Sequence, residues 1–175
     1  MLRAKILILS DAVSAGQRED RSGPAVRELL ESHGWTVLAY EVLPDESEQI
    51  RDRLESWTGS GDCDAVFTSG GTGLSPRDVT PEATRAVVEK EVPGLAEWMR
   101  SQGASRNRMA VLSRGIAGVR EGVLIVNLPG SPRGARESLE SIIDVLPHAS
   151  DIAQGRTAHP EAKPVSKADP PLPSG

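Results

Sequence analysis

Two aspartates stand just beyond hydrophobic runs. Asp45 follows WTVLAYEVLP, and Asp78 follows DAVFTS with three glycines between, Gly70, Gly71 and Gly73, in the stretch TSGGTGLSPRDVTPEA at 68–83. Glycine lets a backbone take positive φ and approach a ligand closely. Successive exposed amides then form an anion-binding nest. A carboxylate beside such a nest repels phosphate unless a cation lies between them. Magnesium fills that place, taking one or two carboxylates together with phosphate oxygens. Asp45 and Asp78 are therefore candidate metal ligands for a phosphate-bearing substrate. Each also precedes a helix, so on spacing alone capping is the leading reading, and GGTG alone is also a plain tight turn. The motif is neither GxxxxGK[ST] nor GxGxxG.

Other candidates carry weaker signals. Ser131 and Pro132 open the last helix directly after Pro129–Gly130. That positive helix end suits a phosphate or carboxylate, or is an ordinary cap. Asp11 and Asp20 read as turn or cap residues of the first loop. Arg114, flanked by glycine-rich sequence, reads as solvated surface. His33, His148 and His159 share no metal spacing, and no Ser–His–Asp arrangement is legible.

Positioning these residues requires a sheet. AKILILS at 4–10 is a continuous aliphatic run, the mark of a parallel strand buried on both faces. A polar loop follows. Val26, Leu29 and Leu30 then mark a helix from Pro24 that Gly34 stops. Residues 35–43 form a second strand. Ile50, Leu54 and Trp57 recur with helical spacing, and 64–69 form a third strand. Thr80 is expected as an N-cap with Pro81 at the first helical position and a helix to about Lys90. Pro93 starts another helix through Met99. A weak strand at 115–119 and a strong one at 123–128 flank Glu121–Gly122, a tight turn that pairs them antiparallel. Ala135, Leu139, Ile142, Ile143 and Leu146 predict one long final helix. Strands alternating with helices give an α/β fold, in which ligands bind beyond the carboxyl ends of the strands.

The chain has 175 residues, of which 38% are hydrophobic, enough for one packed core. Its net charge of -5 and the absence of a basic block argue against nucleic acid as partner. The single cysteine, Cys63, makes no internal disulfide, which fits a cytoplasmic location. The N-terminal apolar run is too short for a membrane span or a signal-peptide core. From about Thr157 the sequence has five prolines and few large apolar residues. The expected organisation is a folded domain over 3–155 and a Pro-rich, disordered tail over 156–175.

These segments together resemble a known family. TSGGTGLSPRDVTPEA, with SD at 10–11, DRSGP at 20–24, LPDE at 43–46, LSRG at 112–115 and NLPGSP at 127–132, is similar to the molybdopterin-binding proteins. These include MogA, MoaB and the G domains of plant Cnx and gephyrin. The resemblance covers about residues 5–155. It implies a three-layer α/β sandwich with a mostly parallel central sheet and a short antiparallel element, assembled as a homotrimer or, in some members, a hexamer. It implies transfer of AMP from Mg-ATP to the terminal phosphate of molybdopterin, with release of pyrophosphate. A separate molybdate-inserting protein would take the product.

Residue by residue, the resemblance places Asp45 and Asp78 at Mg-ATP handling. It puts Gly70, Gly71, Thr72 and Gly73 against the nucleotide, with Ser10 and Asp11 nearby. Ser113, Arg114, Pro129, Gly130 and Ser131 would shape the pterin side. A non-catalytic molybdopterin carrier is the alternative. A CinA-like pyrophosphatase is disfavoured by RDVTPEA, and a flavodoxin-like flavin carrier by an aromatic content of 3%.

Overall fold

The computed structural model of the protein describes residues 1–156. The expected Pro-rich tail lies outside the described residues, apart from its first residue, Arg156. The chain runs β1 (Arg3–Leu9), α1 (Asp11–Ser14), α2 (Ser22–Ser32), β2 (Thr36–Leu43), α3 (Ser47–Thr58), β3 (Ala65–Ser69) and α4 (Thr80–Val87). It continues through β4 (Lys90–Glu91), α5 (Pro93–Arg106), a 3-10 turn (Arg108–Leu112), β5 (Ala117–Arg120), β6 (Val123–Leu128), α6 (Pro132–Ile142) and α7 (Leu146–Ala153).

One six-stranded sheet has the order β2-β1-β3-β6-β5-β4. The first four strands in that order are mutually parallel, and β5 runs antiparallel to both β6 and β4. Alternating side chains separate two cores, as strand geometry requires. Ala4, Ile6 and Ile8 of β1 join Phe67, Leu124, Val126 and residues of α2, α5 and α6. Leu7 and Leu9 join Val66, Ile125 and residues of α3 and α4. Sheet and two helix layers thus make the expected three-layer sandwich. No helix among the described residues is long and apolar enough to cross a membrane.

The chain leaves β1 for β2 on one side and returns to β3 on the other. The crevice therefore opens beyond the ends of β1 and β3, where such reversals place ligands. Three local expectations need correction. The helix after Thr80 stops at Val87, not Lys90, because Glu89 donates its N–H to Val119 O and Lys90–Glu91 pair with β5. The final helix breaks in two at Ile143–Val145, and Pro147 starts the second part. Thr80 is not an N-cap. It is fully buried, and its hydroxyl donates to Gly70 O at 2.9 Å.

Candidate functional site

The glycine loop is shaped by its neighbours. Gly70 has φ +111, and a Cβ there would lie 2.1 Å from Leu9 O. Gly71 has φ +63, and a Cβ there would lie 2.2 Å from Thr80 Oγ1 and 2.9 Å from Asp45 Oδ1. Only glycine fits both positions. Thr80 holds the loop by donating its N–H to Gly71 O and its hydroxyl to Gly70 O. Among the described residues, the N–H groups of Gly71, Thr72 and Gly73 meet no backbone acceptor.

Asp45 reaches this loop from the end of β2, held by a reciprocal pair of bonds. Asp11 N donates to Asp45 Oδ2 and Asp45 N donates to Asp11 Oδ1, each at 3.0 Å. The other oxygen, Asp45 Oδ1, is buried with no hydrogen-bond partner. Burial pushes the Asp45 carboxyl above the usual range. The Asp11 amide opposes this, and the charges of Asp11 and Asp78 add to it. Asp11 in turn accepts two bonds from Arg77, which hold its carboxyl low, and Arg77 also binds Glu46 at 2.8 Å. Asp78 closes its own turn by accepting from Ser75 N at 2.7 Å and donating its N–H to Ser75 O.

These groups line a cleft of about 750 Å³. Ser10, Asp45, Gly70, Gly71, Asp78, Gly130 and Ser131 all face it, from four separate strand ends. Ser10 also caps α1 through Val13 N, and Ser131 caps α6 through Gly134 N. A second, more apolar cavity of about 390 Å³ lies between α5, the 3-10 turn and α6. Ser113 and Pro129 line it, and Ser131 borders both spaces.

Four expected residues stand elsewhere. Asp11 lies behind Asp45 as its support. Thr72 is buried, and Gly73 packs against the Asp78 carboxylate. Arg114 is neither solvated surface nor part of either cavity wall. Its guanidinium donates to Gly73 O and Asp78 O, each at 2.7 Å, and pairs with Glu82, while its N–H donates to Thr72 O. It braces the glycine loop from behind. Asp20, at the cleft, accepts from Ser22 N and Gly23 N at the start of α2 and from the Tyr40 hydroxyl.

Three participants escape a reading of the sequence. Arg77 stands in the motif without an evident role. Arg18 lines the cleft and donates to Ser10 Oγ at 3.2 Å. Asn127 lies buried under the loop and donates to Thr68 Oγ1 and Thr84 Oγ1. Loop arginines carry no periodic signal, but an asparagine inside the aliphatic run VLIVNL was a legible anomaly.

A binding cleft with an unpaired buried carboxylate oxygen, free amides and two helix starts can hold a phosphate ester through a divalent cation. Among the described residues, no three His, Cys, Asp or Glu side chains cluster as a metal site complete in itself.

The family described as a probable molybdopterin binding domain matches residues 5–148. The chain is 41% identical over 152 residues to the molybdopterin adenylyltransferase of Helicobacter pylori J99, covering 86% of each. It is 37% identical over 164 residues to the molybdenum cofactor synthesis protein cinnamon of Drosophila melanogaster. That match covers 90% of the chain but only 27% of the fly protein. The solved structure of the molybdopterin biosynthesis enzyme MoaB from Thermus thermophilus superposes with a TM-score of 0.84 at 52% identity, covering 89% of this chain and 98% of that one.

Proposed function

The chain belongs to the molybdopterin-binding family, and we propose that it is a molybdopterin adenylyltransferase, transferring AMP from ATP to the terminal phosphate of molybdopterin with release of pyrophosphate. The observation that carries this reading is the Asp45 carboxylate. It stands between a glycine nest and the cleft with one buried oxygen unpaired. A buried polar atom without a partner calls for one, and a cation is a partner that a carboxylate oxygen accepts.

Asp45 and Asp78 would hold Mg²⁺ carried in by ATP. When bound, the ion neutralises phosphate charge beside the two carboxylates. The residues supply positioning, and the reaction asks little else of a protein. The Gly71 amide, on the cleft wall and without a backbone acceptor among the described residues, takes a nucleotide phosphate oxygen. Gly130 and Ser131 take the incoming phosphate at the start of α6, and the second cavity, with Ser113 and Pro129, takes the pterin. Asp11 aims Asp45, and Arg114 fixes the loop. No strong base is required, because the attacking phosphate oxygen is already an anion.

Assembly and place follow from the same reading. We assign a homotrimer, with a hexamer as the larger alternative, that passes its product to a molybdate-inserting partner in the cytoplasm, where ATP is available. Exposed Leu74, Met109, Val111 and Leu112 support self-association. Light scattering would reveal a monomer if this assignment is wrong.

The test of activity is direct. The protein is incubated with molybdopterin, ATP and Mg²⁺, and adenylyl-molybdopterin and pyrophosphate are followed. Wild type is expected to form both. Asp78→Asn keeps the acceptor for Ser75 N but loses the charge, and should fall about 100-fold or more. Tight molybdopterin binding with no product from wild type would leave a carrier instead.

A further inference from the structure

We infer that Arg18 is the residue that binds the β- and γ-phosphates of the nucleotide and the pyrophosphate that departs, an assignment that rests on the adenylyltransferase reading. A triphosphate brings several negative charges into a cleft whose own carboxylates are Glu19, Asp20, Asp45 and Asp78. The arginines that the motifs suggest are already committed. Arg77 is bound by Asp11 and Glu46. Arg114 is bound by Glu82 and two carbonyls, and it faces away from the cleft.

Arg18 differs on each count. It lines the cleft, makes no ion pair among the described residues, and spends one donor on Ser10 Oγ. A guanidinium has five donors in a planar fork suited to phosphate. The bond to Ser10 brings it to the end of β1, and its other donors meet no acceptor among the described residues. Arg21 lines the same cleft, but no side-chain bond fixes its guanidinium among the described residues.

Sheet order says which phosphates it meets. Asp45 follows β2 and Ser10 follows β1, at one side of the crevice. Ser131 follows β6 at the other side and opens onto the second cavity. In displacement at the α-phosphorus, the attacking and leaving oxygens are roughly in line. The attacking oxygen belongs to the molybdopterin phosphate and enters from the β6 side. The new bond joins it to the α-phosphorus. The bond to the bridging oxygen of the β-phosphate breaks, and pyrophosphate leaves with the electron pair toward β1 and β2. Arg18 stands there, where negative charge grows on the leaving group.

The experiment is calorimetric titration of wild type, Arg18→Ala, Arg18→Lys and Arg21→Ala with Mg-ATP, magnesium pyrophosphate and AMP. Arg18→Ala should weaken ATP and pyrophosphate about tenfold or more and leave AMP within about twofold. Arg18→Lys should recover part of the loss, and Arg21→Ala should lose less than Arg18→Ala. In the assay, KM for ATP should rise while KM for molybdopterin holds. Melting temperature should not move, because Arg18 is exposed and makes one side-chain bond. Unchanged ATP and pyrophosphate affinity in Arg18→Ala, equal loss of AMP, or a larger effect from Arg21→Ala would overturn the assignment. Wild type that binds ATP through Arg18 yet forms no adenylyl-molybdopterin would sink the adenylyltransferase reading and keep Arg18. Wild type that binds neither ATP nor pyrophosphate would sink both.

Discussion

Asp45 is held at a cost to the stability of the free protein. Its folded pKa lies above the ordinary carboxylate value, chiefly through burial. The native state therefore binds more protons than the unfolded chain between those two values, and stability falls as pH rises through that window. At neutral pH the charged side chain is a burden. Asp45→Asn keeps an acceptor for Asp11 N and removes the charge. It should melt higher than wild type at pH 7, with the gain fading as pH drops below about 4. It should also lose any rise in melting temperature that Mg²⁺ with ATP gives wild type. A variant that melts lower at every pH would show that the carboxylate serves only the fold. At this scale the glycines and the two aspartates were legible in sequence, because positive φ and a loop carboxylate after a strand each leave a residue-type signature. Asp11 and Arg114 were expected to face the ligands, whereas the structure turns Asp11 to Arg77 and Arg114 to the glycine loop. Whether a polar side chain faces the ligand or the residue that meets the ligand depends on atoms brought together from over thirty positions away.

The elements carry the site through one buried polar junction. Asn127 of β6 donates to Thr68 of β3 and Thr84 of α4 and accepts from Ile116 N at 3.2 Å. Four segments thus lock together just beneath the glycine loop. Asn127→Ala would strand two hydroxyls and one amide in the core. The expected cost is about 2–4 kcal/mol, measured by urea unfolding. Mg-ATP binding should weaken as well, because α4 also carries Thr80, which holds Gly70 and Gly71. A cost below about 1 kcal/mol would mean that water or local movement satisfies the stranded groups. The strong strands and amphipathic helices were readable because burial on one or two faces imposes a period. The two-residue β4 is too short to show one. The break between α6 and α7 was hidden because Ile142, Ile143 and Leu146 continue the apolar pattern across it. Pro147, placed to start a new helix, was the available signal.

At the scale of the whole molecule, the cleft and the last helix sit at opposite ends of the sheet, and the chain ties them through its core. Leu146 and Ser150 of α7 are fully buried. Gln154 reaches back to Asp64 at the start of β3, a carboxylate only 3% exposed that also takes Arg3 N at 2.7 Å. Burial raises the Asp64 pKa, but the Arg3 and Gln154 bonds oppose it and hold the group low overall. The clasp therefore contributes stability above the ordinary carboxylate range and loses it as pH falls through the lowered value. Among the described residues, the last buried side chain is that of Ser150. We propose that the folded unit ends near residue 155. A chain stopped after Arg156 should keep its melting temperature within about 2 °C and its nucleotide affinity. One stopped after Val145 loses Leu146, worth about 1.5–3 kcal/mol of burial, together with the Gln154 bond. It should unfold readily. Cys63 reports the difference. Burial pushes its thiol up to about 11, so alkylation at neutral pH requires opening of the core. Slow labelling of the longer chain and fast labelling of the shorter would place α7 inside the cooperative unit. Equal rates would make α7 an appendage and move the domain boundary before Leu146.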